Sequence, residues 1–364
     1  MKTKLFIISI IMFVSSRGFA QETTFGKFTG QVFADYFYNI ARDTAFSSFK
    51  NVAVDGLQDI NGFALRRAAL NYDVDISEKF LARFRLEADS KSNTTNGRIG
   101  IFVKDAYIKW KNIFTGSDLI FGIQPTASFE VSEKYWGYRS LEKTVQDLRG
   151  FVASRDFGIV LRGKLVESGN ANYSVMFGSN SANNPETDKY NRYYAAFDFK
   201  PFSNFSVAVT GDFKARASVA DPNNVGETLP HNSILGSIFL GYGEKNKYSF
   251  GVEGALQSNQ NSATVSGTNG PELKSLNALG ISAFGSYWFT ENFAALLRYD
   301  YFDANMDGDF KGDSRNYFIA GLDFKADKNI SIIPNVIYES YESLPDGRSF
   351  DASVTGRLTL YYNF

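Results

Sequence analysis

Apolar and polar residues alternate one for one along most of this chain, and the alternation comes in runs of strand length. The last run shows the rule: in SFDASVTGRLTLYYNF, residues 349–364, the side chains of Phe350, Ala352, Val354, Leu358, Leu360, Tyr362 and Phe364 share one face of an extended strand. Asp351, Ser353, Thr355, Arg357, Thr359 and Asn363 share the other. Comparable runs occupy 28–40, 61–75, 80–90, 101–111, 118–126, 156–166, 172–180, 190–200, 205–216, 232–242, 247–257, 276–289, 293–303, 315–326 and 330–340, sixteen in all. A tilted strand needs about 9 to 11 residues to cross a bilayer, and an even number of such strands can close into a barrel with no free edge. The expected fold is all-β, a 16-stranded antiparallel transmembrane β-barrel.

The segments between the runs alternate as well. After the even-numbered runs they are short, as in Ser77-Glu78-Lys79 and Thr290-Glu291-Asn292, whereas after the odd-numbered runs they are longer and rich in Asn, Asp, Gly and Ser, as in 41–60, 127–155, 219–231 and 258–275. Short turns at one rim and long loops at the other are the signature of outer-membrane barrels, and the pattern predicts that both termini are periplasmic. A soluble sandwich gives no reason for it. Charge keeps to one face: Arg83, Arg85, Glu87 and Asp89 oppose Phe80, Ala82, Phe84, Leu86 and Ala88, and Arg298 and Asp300 oppose Phe293, Ala295, Leu297, Tyr299 and Tyr301. Aromatics such as Tyr72, Phe80, Trp110, Tyr242, Tyr248, Phe289 and Phe293 flank the short turns, where an interfacial girdle belongs.

The N-terminus supplies the route to that membrane. Lys2 and Lys4 precede an apolar stretch from Leu5 to Val14, and Gly18-Phe19-Ala20 provides small residues ahead of Gln21, which predicts a signal peptide over 1–20 and a barrel domain over 21–364. No later stretch approaches the ~18 apolar residues of a membrane helix. Aromatics are 16% of the chain, which suits strands with one lipid face. There is no cysteine for a disulfide scaffold, and the net charge of −1 gives no reason to expect nucleic acid. The expected partners are the lipid bilayer, outer-membrane assembly machinery that could read the terminal Phe364, and small hydrophilic solutes or ions.

The longest connection, 127–155, contains RSLEKTVQDLRG, in which Leu141, Val145 and Leu148 fall on one helical face, Ser140 stands at a capping position and Gly150 at a C-terminal one. Sixteen strands enclose water, and a constriction loop folded inward would narrow it with Glu130, Glu133, Lys134, Arg139, Glu142, Lys143, Asp147 and Arg149. The alternative is a cap projecting outward. From the strands, Arg67, Arg83, Arg85, Arg162 and Arg192 are expected to line the pore.

The stretches GFALRRAALNYDVDISEKFLARFRLEAD, DAYIKW and LIFGIQPTASFE resemble the phosphate-selective porin O and P family. They carry a paired arginine (Arg66, Arg67), an Arg85-Leu86-Glu87 segment and Gly122-Ile123-Gln124 before the long loop, the last with one residue inserted in the family's Gly-Gln step. The likeness is concentrated in 61–130. It implies a sixteen-stranded, often trimeric pore, hence a homotrimer here, and raises phosphate preference. The lumen-facing residues balance in sign, basic (Arg67, Arg83, Arg85) against acidic (Asp73, Glu87, Asp105) and onward around the wall, so selectivity stays open between a local anion preference and a neutral wet wall.

Other signals are weaker. Asp303, Asn305, Asp307, Asp309 and Asp313 are spaced like the oxygen ligands of a calcium loop, but Ser314 stands where a bidentate Glu belongs, so a turn-rich loop tip explains the same letters. His231 is the only histidine, and no nucleophile has a ready base, so no enzyme and no cofactor is expected. The expected function is an outer-membrane diffusion porin for small hydrophilic solutes or ions, with a barrel that binds a partner through its outer loops as the alternative.

Overall fold

The computed structural model describes residues 26–43, 57–89, 93–267, 270–308 and 310–364. The expected leader and its cleavage site lie outside them. Alternation becomes strand at β1 (Lys27–Ala41), β2 (Asn61–Asp75), β3 (Phe80–Asp89), β4 (Phe102–Phe114), β5 (Ser117–Pro125), β6 (Arg155–Lys164), β7 (Ala171–Gly178), β8 (Arg192–Phe202) and β9 (Phe205–Lys214). After a two-strand ribbon of β10 (Val219–Ala220) and β11 (Thr228–Leu229) come β12 (Ser233–Glu244), β13 (Tyr248–Gly267), β14 (Gly270–Thr290), β15 (Phe293–Asp303), β16 (Arg315–Asp327), β17 (Ile330–Tyr341) and β18 (Ser353–Asn363). All except β10 and β11 form one closed barrel of sixteen strands in which each pairs antiparallel with its neighbours, β18 with β1. The closing seam runs from Gln31 opposite Asn363 to Asn39 opposite Thr355 and, past an irregularity, Ala41 opposite Val354, and Gly30 and Phe364 exchange both backbone hydrogen bonds at 2.9 and 3.1 Å.

Burial is inside out, as a barrel in lipid requires. Phe84, Leu240, Val252, Ile281, Leu297 and Leu358 are exposed on the outer face, while Asp35, Glu87, Asp105, Glu253, Arg298, Asp300 and Arg357 are buried within. No helix among the described residues is long and apolar enough to cross a membrane. Aromatic pairs mark the short-turn rim: Phe80 with Trp110, Tyr242 with Tyr248 and Phe289 with Phe293, each with ring centroids 5.5 Å apart.

Three expectations need correction. The segment 258–275 is no irregular loop: β13 and β14 continue as a paired ribbon to Gly267 opposite Gly270, past an irregularity between Asn259 and Ala263. The last strand begins at Ser353, so Asp351 is an exposed loop residue and not part of the pore wall. Within the long loop, only α2 (Val145–Leu148) of the expected 139–150 helix forms, and a helix the sequence reading missed, α1 (Glu130–Trp136), precedes it. Wall arginines explain the shortfall: Arg66 donates to the carbonyls of Ser140 and Leu141, Arg357 to Leu141 at 3.0 Å and Arg298 to Lys143 at 2.5 Å, which gives those carbonyls to the wall in place of a helical turn. Gly137 and Gly150 end α1 and the turn after α2 at φ 67° and 73°, where glycine is favoured.

Candidate functional site: the loop across the lumen

The long loop turns inward. Its base is closed where Thr126 Oγ1 donates to Ala153 O at 2.8 Å, between the neighbouring strands β5 and β6. From there it reaches the opposite wall: Ser132 Oγ and Gln146 Nε2 donate to Glu253 Oε1 at 2.9 and 2.6 Å, Tyr317 Oη donates to Glu142 at 3.2 Å, and Arg149 pairs with Glu339 at 2.9 Å. Apolar packing holds the same face. Trp136, Tyr138 and Leu141 pack with Phe239, Phe284, Ile319 and Ile333, residues that point into the lumen. Glycines make the seat, since a Cβ on Gly280 would meet Phe151 at 2.8 Å and one on Gly241 would meet Tyr135 at 2.8 Å.

The free side of the loop faces β2 to β4, where two bulges add charge. In regular alternation Arg66 and Arg67 cannot both face inward. The β1–β2 ladder passes from Phe33 opposite Arg67 to Ala34 opposite Leu65, leaving Arg66 as the extra residue. The β3–β4 ladder passes from Arg85 opposite Asp105 to Leu86 opposite Val103, leaving Lys104 extra in the same way. Arg66 pairs with Asp35, and Lys104 reaches Glu87 at 3.4 Å. Sequence reading placed only Arg67 of the pair in the lumen and missed Lys104. The signal was present: a charge on the lipid face is costly, so two adjacent cations within a strand demand a bulge.

Between this wall and the loop lies a cavity of about 330 Å³ lined by Arg67, Arg85, Lys104, Lys134, Arg139 and Arg155 with Glu87 and Glu133. Glu87 serves three cations, Arg85 at 2.7 Å, Lys104 at 3.4 Å and Arg67 at 3.5 Å. Arg139 bridges Glu133 at 2.7 Å and Asp147 at 2.6 Å, and Arg155 pairs with Asp105 behind the lining. Even with Asp105 and Asp147 counted, cations exceed carboxylates six to four. Arg67 Nε, Arg85 Nε and Arg139 Nη1 are buried with no acceptor in hydrogen-bond geometry. In the loop, burial alone would raise the carboxyls of Glu142 and Asp147, but Arg66 and Arg357 beside the first, and Arg139 and Lys143 beside the second, outweigh it and hold both below the usual range.

The other expected residues are dispersed. Arg83 forms a two-bond pair with Asp73 at 2.6 and 2.9 Å, and Arg162 pairs with Glu130 at 2.5 Å beside a second cavity of about 400 Å³. Lys143 is a half-exposed partner of Asp147 at 3.6 Å. Arg192 does not face open lumen: it is buried, bonded twice to Asp212, and donates to Phe151 O at 3.0 Å as a loop anchor. In the suggested calcium loop, Asp303 accepts from the Asn305 backbone, Asn305 from the Asn277 backbone, and Asp307 from the Asn277 side chain. Asp309 lies outside the described residues, among which no three acidic side chains are placed to hold a metal ion.

No family model matches the chain, and no curated protein sequence does. Its fold has counterparts among solved structures. It is similar to the outer-membrane channel DcaP of Acinetobacter baumannii, with TM-score 0.65 and 11% identity over 93% of this chain and 97% of that one. Outer-membrane expressed OmpT of Vibrio cholerae matches with TM-score 0.60 and 11% identity, covering 93% and 97%. An anion-selective porin from Comamonas acidovorans matches at 12% identity and covers 93% and 99%. Identities this low speak for the fold alone, a closed antiparallel barrel.

Proposed function

We propose that this chain is an outer-membrane diffusion porin, passing small hydrophilic solutes down their gradients with a preference for anions. The observation that carries the preference is the cavity at the constriction, where six cations stand over two lining carboxylates and the buried Arg85 Nε has no acceptor. Rings of Arg and Lys favour anions in pores, and forked guanidinium donors suit planar or tetrahedral oxyanions. The phosphate-selective likeness of 61–130 falls on this wall, since it includes Arg67, Arg85 and Gly122, whose φ of 132° is open to glycine. Phosphate-type oxyanions are therefore the solutes to try first. In this reading the short-turn rim and both termini face the periplasm, and the barrel assembles as a homotrimer.

Single-channel recording across a salt gradient tests it. The expected reversal potential lies on the chloride side, with phosphate lowering chloride conductance. A cation-favouring reversal potential defeats the anion preference, and bilayers that stay silent favour the partner-binding alternative.

A further inference from the structure

Most lumen cations are spent on carboxylates, but a group at the short-turn end is not. At the short-turn end a cavity of about 520 Å³ adjoins the constriction and shares Lys134, Gly137, Ser140 and Tyr361 with it. Lys134, Lys200 and Lys325 line it, and none of the three has a carboxylate within ion-pair distance among the described residues. Two carboxylates share the lining: Glu244 pairs with Lys247 at 2.5 Å, and Asp323 is buried in the wall. The Lys325 ammonium rests 3.8 Å from the centroid of the Trp288 ring. A ring face holds a cation without neutralising it, so this charge is positioned and still available to an anion. Tyr135, Trp288 and Tyr361 bring aromatic surface to the same wet cavity, unlike the wall of β2 to β4.

We infer that this end of the pore is a binding station for organic anions that carry a flat apolar ring, with the carboxylate or similar group on Lys134, Lys200 and Lys325 and the ring against Trp288, Tyr135 and Tyr361. An inorganic anion uses only half of it. A neutral ring uses only the other half. The station rests on the porin reading for how an anion reaches it, and not for whether it binds.

The probe is 4-nitrobenzoate, a ring-bearing anion that quenches tryptophan. Trp110 faces outward on β4, and Trp136, at the end of α1, touches the cavity lining but is 1% exposed, which leaves Trp288 as the accessible tryptophan there. With the full chain folded in detergent, saturable quenching is expected from 4-nitrobenzoate and not from 4-nitrobenzyl alcohol. Lys325→Gln should weaken it about fivefold, Lys325→Arg should restore it, and Trp288→Phe should remove the saturable component. Non-saturable quenching equal for both probes, or a Lys325→Gln protein that binds like the parent, overturns the station. In bilayers, benzoate should block for longer than acetate. Saturable quenching with silent bilayers sinks the porin reading and keeps the station, while conducting channels without saturable quenching do the reverse.

Discussion

Replacing Arg298 by Met should release the loop without unfolding the barrel. Arg298 is 1% exposed and makes three kinds of contact: two bonds to Asp300 at 2.8 and 2.5 Å, one to Lys143 O at 2.5 Å, and a guanidinium 5.1 Å from the Trp136 ring. Removing it leaves Asp300, fully buried, with the Ser282 hydroxyl at 2.6 Å as its remaining side-chain donor. Breaking a buried pair from one side costs ~3–5 kcal/mol, most of it the stranded charge. The double variant Arg298→Met/Asp300→Asn removes that charge and should recover about 2–3 kcal/mol of the loss. The part that stays lost belongs to the loop, one carbonyl bond of ~1 kcal/mol and a cation–π contact of similar size. The assay pairs urea unfolding in micelles with single-channel conductance. Both variants should conduct with larger, noisier steps than the parent, and only the single variant should unfold much earlier. If the single and double variants unfold together, or if neither changes the conductance, the arginine is a bystander and the apolar seat alone holds the loop.

The neighbouring residue obeys the opposite rule: Leu297 is 61% exposed on the lipid face, so Leu297→Arg should cost ~2–4 kcal/mol near the bilayer midplane in an unfolding titration from vesicles. Deleting Arg66 should leave a barrel that still migrates as folded in an unheated gel, because it removes the extra residue of a bulge, whereas deleting Ala320 from an unbroken ladder flips a strand face and should abolish that form. Acid should act on the two loops with opposite sign. Glu142 and Asp147 are held below their ordinary values, so their contribution to seating the constriction loop is complete above about pH 5 and is lost as pH falls through their lowered values, read as increased conductance noise only in strong acid. Asp313, in the loop after β15, is pushed up to about 6 by burial and by Asp303 and Glu342. Folding raises its proton affinity, so it favours the folded loop at low pH and that advantage drains away as pH rises through about 6, seen as faster amide exchange around 310–314 above that pH.

How much of this was legible depended on whether one period governed a segment. Strand positions and faces were readable because lipid on one side and water on the other impose a strict period of two, and Leu358 and Arg357 sit where that period puts them, outside and inside. It failed where a third environment intervened. Phe239, Phe284, Ile319 and Ile333 break the rule by being apolar on the wet face, and they do so because the loop packs on them. Read for its exceptions, the alternation marks the loop's seat. The helix over 139–150 failed for the complementary reason: its apolar spacing was sound, and Leu141 and Val145 are fully buried, but periodicity says nothing about which donors will claim the carbonyls.

The claim on those carbonyls also explains how the constriction can be both fixed and adjustable. Arg66, Arg192, Arg298 and Arg357, from four separate strands, all donate to main-chain oxygens of the loop at Ser140, Leu141, Lys143 and Phe151. A bond to a backbone carbonyl does not depend on the side chain attached to it. The wall therefore sets where the loop runs, while Lys134 and Lys143 carry charge into the lumen without being needed to hold it there. Each wall arginine except Arg66 keeps a second bond to a wall side chain, Asp212, Asp300 or Asn335, that orients its fork, and Arg66 is oriented by its ion pair with Asp35. The same lumen arginines that look like pore-lining charge in the sequence thus divide into two jobs. Those bonded to loop carbonyls fix the path of the loop, and under the proposed anion preference those left around Glu87 give the aperture its sign.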